Sequence, residues 1–220
     1  MTTRARFVLV TDNPASWSVP GNQRLVSRLE AEGYAASLVH SIAAAPDADV
    51  AIYLSCERII PAVERARFRH NLVVHASDLP RGRGWSPLSW QILEGREQIT
   101  VTLFEAADAV DAGPIYRQRE LRFAGHELIA ELREQLGLAI EELVLEFARA
   151  YPDVTPRVQE GEPTFYARRR PADSRLDPDK PLRELFPQLR IADNDRYPAF
   201  FEHAGHIYEL RIEKRGPVDK

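Results

Sequence analysis

Short apolar runs that alternate with longer amphipathic stretches constrain the fold of this chain more than any other feature. Aliphatic and β-branched residues predict five buried strands, at 6–11, 36–39, 49–54, 71–75 and 99–104. Apolar residues at helical spacing predict helices over 22–32 and 126–151. Because strands alternate with helices, we expect an α/β fold of the Rossmann-like kind, with a mainly parallel sheet flanked by helices.

The character of the sequence changes after Tyr151. Regular structure is interrupted by prolines at 152, 156, 163, 171, 178, 181 and 187. A short helix is predicted over 182–189, and the alternation on either side of Ala204-Gly205 predicts a terminal hairpin. We therefore predict a catalytic core at 1–151 and a Pro-rich linker with a small C-terminal extension at 152–220.

Composition excludes several classes of protein. The net charge of −4 argues against nucleic acid as the main partner, since dedicated nucleic-acid-binding proteins usually carry a basic face. No apolar run reaches the roughly 18 residues of a membrane span, and the N-terminus has no secretory apolar region. The single cysteine, Cys56, cannot form an internal disulfide. We expect a cytoplasmic protein that holds no metal and does not associate with membranes.

Two segments carry the candidate chemistry. Residues 75–84 read HASDLPRGRG and follow a predicted strand, and residues 110–115 read VDAGPI and follow another apolar run. Ligands of open α/β sheets bind at the edge where strands end, so we expect His75 and Asp111 to meet there. A histidine exchanges protons near neutral pH, and a nearby carboxylate stabilises its charged form.

Simpler interpretations of these residues exist. His75 could be a hydrogen-bonded structural residue, and Asp111 could be an ordinary turn residue before Ala112-Gly113-Pro114. A dinucleotide-binding loop at residues 82–84 lacks its third glycine and its place after the first strand. A metal site from His70 and His75 is poorly supported because an odd spacing along a strand points the side chains to opposite faces. For Cys56, burial as a small apolar residue is a better explanation than a role as a nucleophile.

The region from about 59 to 115 resembles the core of the folate-dependent formyltransferases, which the purine-pathway, methionyl-tRNA and amino-sugar enzymes share. The resemblance implies that the co-substrate is N10-formyltetrahydrofolate and that His75 and Asp111 are catalytic. It also implies that one loop contacts the folate through Ser77, Asp78, Leu79 and Pro80, together with Val110 from the second segment.

The chain departs from this family at one position. The family carries an asparagine two residues before the histidine, and the resemblance implies that its amide polarises the formyl oxygen. Here that position is Val73. Asn71 is not a simple replacement for this asparagine, because it lies four residues before His75, which is about 13 Å along a strand.

Within the family, the sequence is most similar to the enzymes that formylate nucleotide-linked amino sugars. Residues 197–201 read YPAFF, close to a Tyr-Pro-Gly-Ala-Phe segment of those enzymes. Aromatic rings stack on sugars and bases, and Asn and Arg side chains donate hydrogen bonds to hydroxyls or phosphates. We therefore predict that an amino-sugar nucleotide is bound by Asn13, Trp17, Arg81 and Trp85. The resemblance also makes a homodimer possible.

Three other functions stay open at this point. A glycinamide ribonucleotide transformylase has a similar length and the same core. A formyl-folate hydrolase would release formate without an acceptor. A binding or regulatory protein that kept the fold and lost catalysis is the third, and Val73 favours it.

Overall fold

A six-stranded sheet forms the centre of the protein, and the computed structural model describes residues 4–218 of the chain. The strands and helices are β1 (Arg6–Val10), α1 (Val19–Ala31), β2 (Ala35–Val39), β3 (Val50–Tyr53), α2 (Ala62–Arg65), β4 (His70–His75), β5 (Arg83–Gly84), α3 (Pro87–Leu93), β6 (Gln98–Glu105), β7 (Ile115–Arg122), α4 (Ile129–Ala150), β8 (Phe165–Tyr166), α5 (Leu182–Arg190), β9 (Ala199–His203) and β10 (His206–Leu210). The strands of the sheet follow the order β2-β1-β3-β4-β6-β7.

Strand direction divides the sheet into two parts. The four strands β2, β1, β3 and β4 are mutually parallel, whereas β6 runs antiparallel to β4 and β7 antiparallel to β6. The predicted Rossmann-like α/β fold with a mainly parallel sheet is confirmed, as are its five strands. The sixth strand, β7, was not predicted. It lies at the sheet edge and reads IYRQRELR, so its exposed positions are charged and carry no apolar pattern.

The two faces of the sheet are covered differently. Alternate strand residues point to opposite faces, so Phe7 and Leu9 pack under α1, α3 and α4, while Val8 and Val10 pack on the other side. That other side is covered by Phe68 and a short 3₁₀ turn at Ile42–Ala44. The two long helices, α1 and α4, therefore lie on one face of the sheet. Side chains of β4 point alternately to the two faces, and that of His75 points to the other, thinly covered face.

Helix α4 joins the core to the rest of the molecule through ion pairs. Its buried Glu141 accepts hydrogen bonds from Arg24 and Arg28 of α1, at 2.8 and 3.1 Å. Just before α4, Glu127 pairs with Arg190 of α5 at 3.0 Å, and both side chains are buried. Buried charges without partners are costly, so these contacts hold α1 and the C-terminal extension against α4.

The predicted linker is not a free connection. Residues 157–166, which we call the strap, run back across the core: β8 pairs with β5, and Arg157 exchanges main-chain hydrogen bonds with Ile115. After the strap come α5 and the antiparallel hairpin β9–β10, as predicted for the extension. Whether residues 1–151 form a domain of their own stays a prediction.

No helix within residues 4–218 combines the length and the apolar character needed to cross a membrane.

The Glu127–Arg190 pair gives a stability prediction. Burial raises the pKa of Glu127, but N–H donors from Ala124 and Gly125 outweigh it, so the pKa lies below its ordinary value of 4.5. Glu127→Gln leaves Arg190 buried without a counter-charge and should lower the free energy of unfolding by about 3 kcal/mol. Urea denaturation at neutral pH measures this loss.

The same pair predicts a pH dependence. A carboxylate with a lowered pKa stabilises the fold above its ordinary pKa, and that contribution disappears as the pH falls through the lowered value. The difference between wild type and Glu127→Gln should therefore be full above pH 4.5 and shrink below it. Glu184→Gln, at an exposed site on α5, is the control and should change stability little. Equal losses in both variants would contradict a role for the buried pair.

Candidate functional site

His75 ends strand β4, and its ring is fixed by the loop that follows. Its Nε2 lies 2.7 Å from the carbonyl oxygen of Gly82, and the side chain is buried. A carbonyl only accepts hydrogen bonds, so Nε2 must carry the proton. In the neutral ring Nδ1 then holds a free lone pair. This geometry leaves His75 able to accept a proton at Nδ1.

Asp111 lies beside that nitrogen. Its Oδ2 is 3.7 Å from His75 Nδ1 and accepts a hydrogen bond of 2.8 Å from the N–H of Gly84. At 3.7 Å the two side chains are too far apart for a hydrogen bond, but close enough for the carboxylate to stabilise a charged imidazole. The predicted meeting of His75 and Asp111 is therefore present in the structure.

The route by which Asp111 arrives differs from the prediction. We expected the strand before Asp111 to end at the same edge of the sheet as the strand before His75. Instead, β6 is antiparallel to β4 and Thr102 lies beside His75, so β6 ends at Glu105, opposite Leu72 and away from the histidine. The loop of residues 106–114 then carries Asp111 back. Gly113 is required in this loop, because a Cβ there would lie 1.7 Å from the carbonyl oxygen of Glu105.

The strap holds the loop that fixes His75. The Thr164 hydroxyl accepts the N–H of Gly82 at 2.8 Å, and the Thr164 carbonyl accepts the N–H of Arg83 at 2.9 Å. The carbonyl of Tyr166 accepts the N–H of Trp85 at 3.1 Å. These contacts from the strap set the position of Gly82, whose carbonyl in turn orients the ring of His75.

Gln159 of the strap holds the other loop. Its Nε2 donates to the carbonyl oxygens of Asp111 and Gly113, each at 2.8 Å, while its Oε1 accepts from the guanidinium of Arg83 at 2.7 Å. One amide thus ties the Asp111 loop to the His75 loop. Sequence analysis did not identify Gln159, because it lies in a segment that was predicted to be a linker.

A cavity of about 430 Å³ opens in front of His75 and Asp111. Three of its lining residues, Ser55, Ser86 and Asp111, have left-handed backbone conformations with φ between 51° and 56°. Such conformations are strained for residues other than glycine, and they cluster at ligand sites. Their presence around one cavity supports a functional role for it.

One part of the cavity wall is apolar and lies on two facing loops. Ile59, after β3, and Val110, after β6, line the cavity although 64 % and 39 % of their surfaces are exposed. Val73 and Phe104 line it from the sheet. Apolar side chains left exposed around a concave surface are typical of a ligand site.

Two further titratable side chains of the cavity wall, Cys56 and Tyr53, have raised pKa values. Burial, reinforced by the charge of Asp12, raises the pKa of Cys56 to about 12, and its Sγ donates to the Val10 carbonyl oxygen at 3.3 Å. The thiol is therefore protonated at neutral pH. Burial also raises the pKa of Tyr53, whose hydroxyl donates to Asn71 at 2.8 Å.

Of the other predicted site residues, Trp17, Trp85 and Val110 line the cavity. The predicted folate loop does not. Leu79 packs against Phe104 and Ile115 in a small apolar cluster. Ser77, Leu79 and Pro80 are buried, and Asp78 accepts hydrogen bonds from Arg81 and Gln118. In this structure the four residues shape the loop behind the cavity wall, and their contact with the folate stays a prediction.

Asn13 and Arg81, predicted to bind substrate, also lie outside the cavity wall. Asn13 donates to the Glu57 carboxylate at 2.8 Å, so it positions a residue that does line the cavity. Arg81 is exposed and pairs with Asp78 at 2.5 Å. His70 lies at the opposite end of β4 from His75, where its Nδ1 is 3.0 Å from the Tyr116 hydroxyl.

Comparison with known proteins supports the fold and the family. A curated relative, the methionyl-tRNA formyltransferase of Streptococcus gordonii, is 30 % identical over 146 residues, which cover 65 % of this chain and 47 % of that protein. The chain thus spans about half the length of the curated relatives that it matches.

Solved structures share the fold at lower identity. A methionyl-tRNA formyltransferase from Clostridium thermocellum has a TM-score of 0.81 at 23 % identity, over 97 % of this chain and 95 % of that chain. A sugar N-formyltransferase from Shewanella has a TM-score of 0.68 at 14 % identity, over 97 % and 99 %. The formyltransferase PseJ from Anoxybacillus kamchatkensis, solved with a UDP-linked formamido sugar and tetrahydrofolate, has a TM-score of 0.60 at 21 %, over 73 % and 85 %.

The model of the family described as formyl transferase matches residues 12–145, which is more than half of the chain and includes His75, Asp111 and most of the cavity wall. The protein is therefore a member of the formyl transferase family.

Proposed function

We propose that this protein transfers a formyl group from N10-formyltetrahydrofolate to the primary amine of a nucleotide-linked amino sugar. The observation that carries the proposal is the proton-accepting Nδ1 of His75, held beside Asp111 in a cavity wall. Formyl transfer to an amine requires the nitrogen to lose a proton, and a positioned imidazole is suited to accept it.

The proton moves through groups that the loops hold in place. The acceptor amine loses its proton to His75 Nδ1 as its nitrogen attacks the formyl carbon. The bond between that carbon and N10 then breaks, and the imidazolium returns the proton to N10, so that tetrahydrofolate leaves. The resulting imidazolium is stabilised on one side by the Asp111 carboxylate and on the other by the Gly82 carbonyl. Because both partners are fixed before the reaction, little reorganisation accompanies the charge change. Much of the rate should come from holding the two reactants together.

The apolar part of the cavity suits the folate. The folate supplies an activated formyl group on N10, and its pterin is a flat ring system with a polar edge. Ile59, Ile60 and Val110 offer apolar contacts to such a ring. The volume of about 430 Å³ falls within the range of small-molecule sites.

The acceptor class rests on other observations. Trp17 and Trp85 line the cavity and provide rings against which sugars and bases stack. Proteins with this fold include a sugar N-formyltransferase and a formyltransferase solved with a UDP-linked formamido sugar. Both observations support an amino-sugar nucleotide.

Methionyl-tRNA is a second candidate acceptor, because the curated relatives carry that activity in their names. A formyltransferase that binds tRNA benefits from basic surface, and this chain has a net charge of −4. The sugar nucleotide is therefore the favoured acceptor.

Release of tetrahydrofolate from N10-formyltetrahydrofolate tests the proposal. The purified protein is supplied with UDP-, dTDP-, GDP- and CMP-linked amino sugars and, separately, with methionyl-tRNA and glycinamide ribonucleotide. Release that depends on one sugar nucleotide supports the proposal, and release that depends on another acceptor replaces it. Release without any acceptor indicates a hydrolase, and folate binding without release indicates a non-catalytic relative.

The first activity prediction concerns the His75–Asp111 pair. His75→Ala removes the proton acceptor, and Asp111→Asn removes the charge while keeping a side chain that tolerates a positive φ. Either change should reduce kcat by at least about 10². Thermal denaturation and folate affinity serve as controls and should change little. A variant with near-wild-type turnover would remove its residue from the mechanism.

The second prediction concerns Gln159. Gln159→Leu removes both donors to the Asp111 loop, so the carboxylate should lose its fixed position and kcat should fall about 10-fold. The matched control is Tyr166→Phe, which removes a strap hydrogen bond to Glu94 but none to the Asp111 loop. A fall in kcat of similar size in both variants would show a general effect of the strap instead.

The third prediction concerns Val73, which lines the cavity on the same face of β4 as His75. An amide there could donate to the formyl oxygen, and the loss of such donors costs about 10²–10³ in rate. Val73→Asn should therefore raise kcat, by about 10-fold. Val73→Thr, which keeps the shape but reaches less far, should raise it less. An unchanged or lower kcat in Val73→Asn would mean that another donor already serves this oxygen.

A further inference from the structure

A second cavity adjoins the one that contains His75 and Asp111. It has a volume of about 500 Å³ and is formed by the loop before α1, by α4 and by the C-terminal extension. Trp17, Ser55, Glu57, Ser86 and Arg133 line both cavities. A ligand in the second cavity can therefore extend into the first.

Two arginines give the second cavity its charge. Arg133 comes from α4, and Arg196 comes from the extension. Arg133 already pairs with Asp193 at 2.6 Å and lies over the ring of Trp17, 5.5 Å from the ring centre. The Arg196 guanidinium has no ion-pair partner among residues 4–218.

The carboxylates near this cavity are occupied by protein groups. Glu57, which lines it, accepts from Asn13 at 2.8 Å and lies 3.5 Å from Arg168. Asp193 pairs with Arg133 and also accepts the N–H of Arg196, at 3.2 Å. These carboxylates therefore do not pair with the guanidinium of Arg196, whose positive charge is available to a ligand.

Asp193 contacts both arginine residues, Arg133 through its side chain and Arg196 through its main chain. Burial would raise the pKa of this carboxyl, but the ion pair with Arg133 and the N–H groups of Asp195 and Arg196 outweigh it, so the pKa lies below its ordinary value. One ionised side chain thus holds the guanidinium of Arg133 and the main chain of Arg196.

Aromatic rings accompany this charge. Trp17 lines the second cavity, and so does Tyr197, whose surface is 41 % exposed. Guanidinium groups bind phosphate oxygens in a forked geometry, and exposed rings stack on nucleobases. Both chemistries together match a phosphate group linked to a flat base.

We propose that the second cavity binds the nucleoside diphosphate portion of the acceptor, with Arg196 and Arg133 on the diphosphate and Tyr197 against the base. This assignment rests on the proposed function, because it specifies the part of the acceptor that lies away from the reacting amine. It also gives the C-terminal extension a role in substrate binding.

Binding of UDP, dTDP and GDP to the full chain, measured by titration calorimetry without folate, tests the assignment. Arg196→Met should weaken the tightest of these diphosphates at least 10-fold, and Arg196→Lys should weaken it less because the charge is kept. The matching nucleoside without phosphates should bind much more weakly to wild type. Arg183→Met, which removes an exposed arginine on α5, is the control and should leave the affinity unchanged.

The outcomes separate this assignment from the proposed function. If a diphosphate binds through Arg196 and no acceptor takes up the formyl group, the assignment stands and the proposed function fails. If formyl transfer occurs to an acceptor without phosphate and Arg196→Met does not affect it, the assignment is overturned and the transfer stands. Wild type that binds none of the three diphosphates, or Arg196→Met that binds them as well as wild type, also overturns it.

Discussion

The hydrogen bond between His75 Nε2 and the Gly82 carbonyl is the interaction on which the rest of the site depends. It decides which ring nitrogen carries the proton and therefore which one can accept another. It also requires the loop after β4 to turn back sharply, with Gly82 at a φ of +73° and a Cβ position only 2.8 Å from the ring of Tyr166. The position of the proton on the His75 ring thus depends on the path of two chain segments, the loop after β4 and the strap.

The sequence predicted those parts of the fold that depend on apolar patterning. The parallel strands, α1 and α4 bury one or both faces, so their residues follow a readable period. Strand β7 and the strap are different. They are held by main-chain hydrogen bonds and present polar side chains, as in RQRE of β7, and such bonds leave no pattern in the residue types. Most of the prolines after Tyr151 indicated irregular structure correctly, although Pro187 lies inside α5. Irregular structure can nevertheless have a single, well-defined conformation.

The residues of the candidate site likewise include some that were predicted from the sequence and others that were not. The pairing of His75 with Asp111 was predicted, largely through resemblance, although the loop that carries Asp111 back from the far end of β6 was not. The contact between the folate and the loop from Ser77 to Pro80 was predicted from the resemblance. In the structure, the side chain of Leu79 packs in a small apolar cluster, so this part of the loop faces the protein interior. Contacts such as those of Gln159 and Asp193 join residues far apart in sequence, so neither residue type nor spacing indicated them.

The position of the strap along the chain has a consequence for biosynthesis. A nascent chain that has left the ribosome as far as residue 151 already contains His75, Asp111 and all six strands of the sheet. It still lacks Gln159 and Thr164, which hold the two loops in register. The contacts that hold the loops of His75 and Asp111 are therefore the last part of the site to be translated, and a product interrupted at residue 151 would carry both side chains without these contacts.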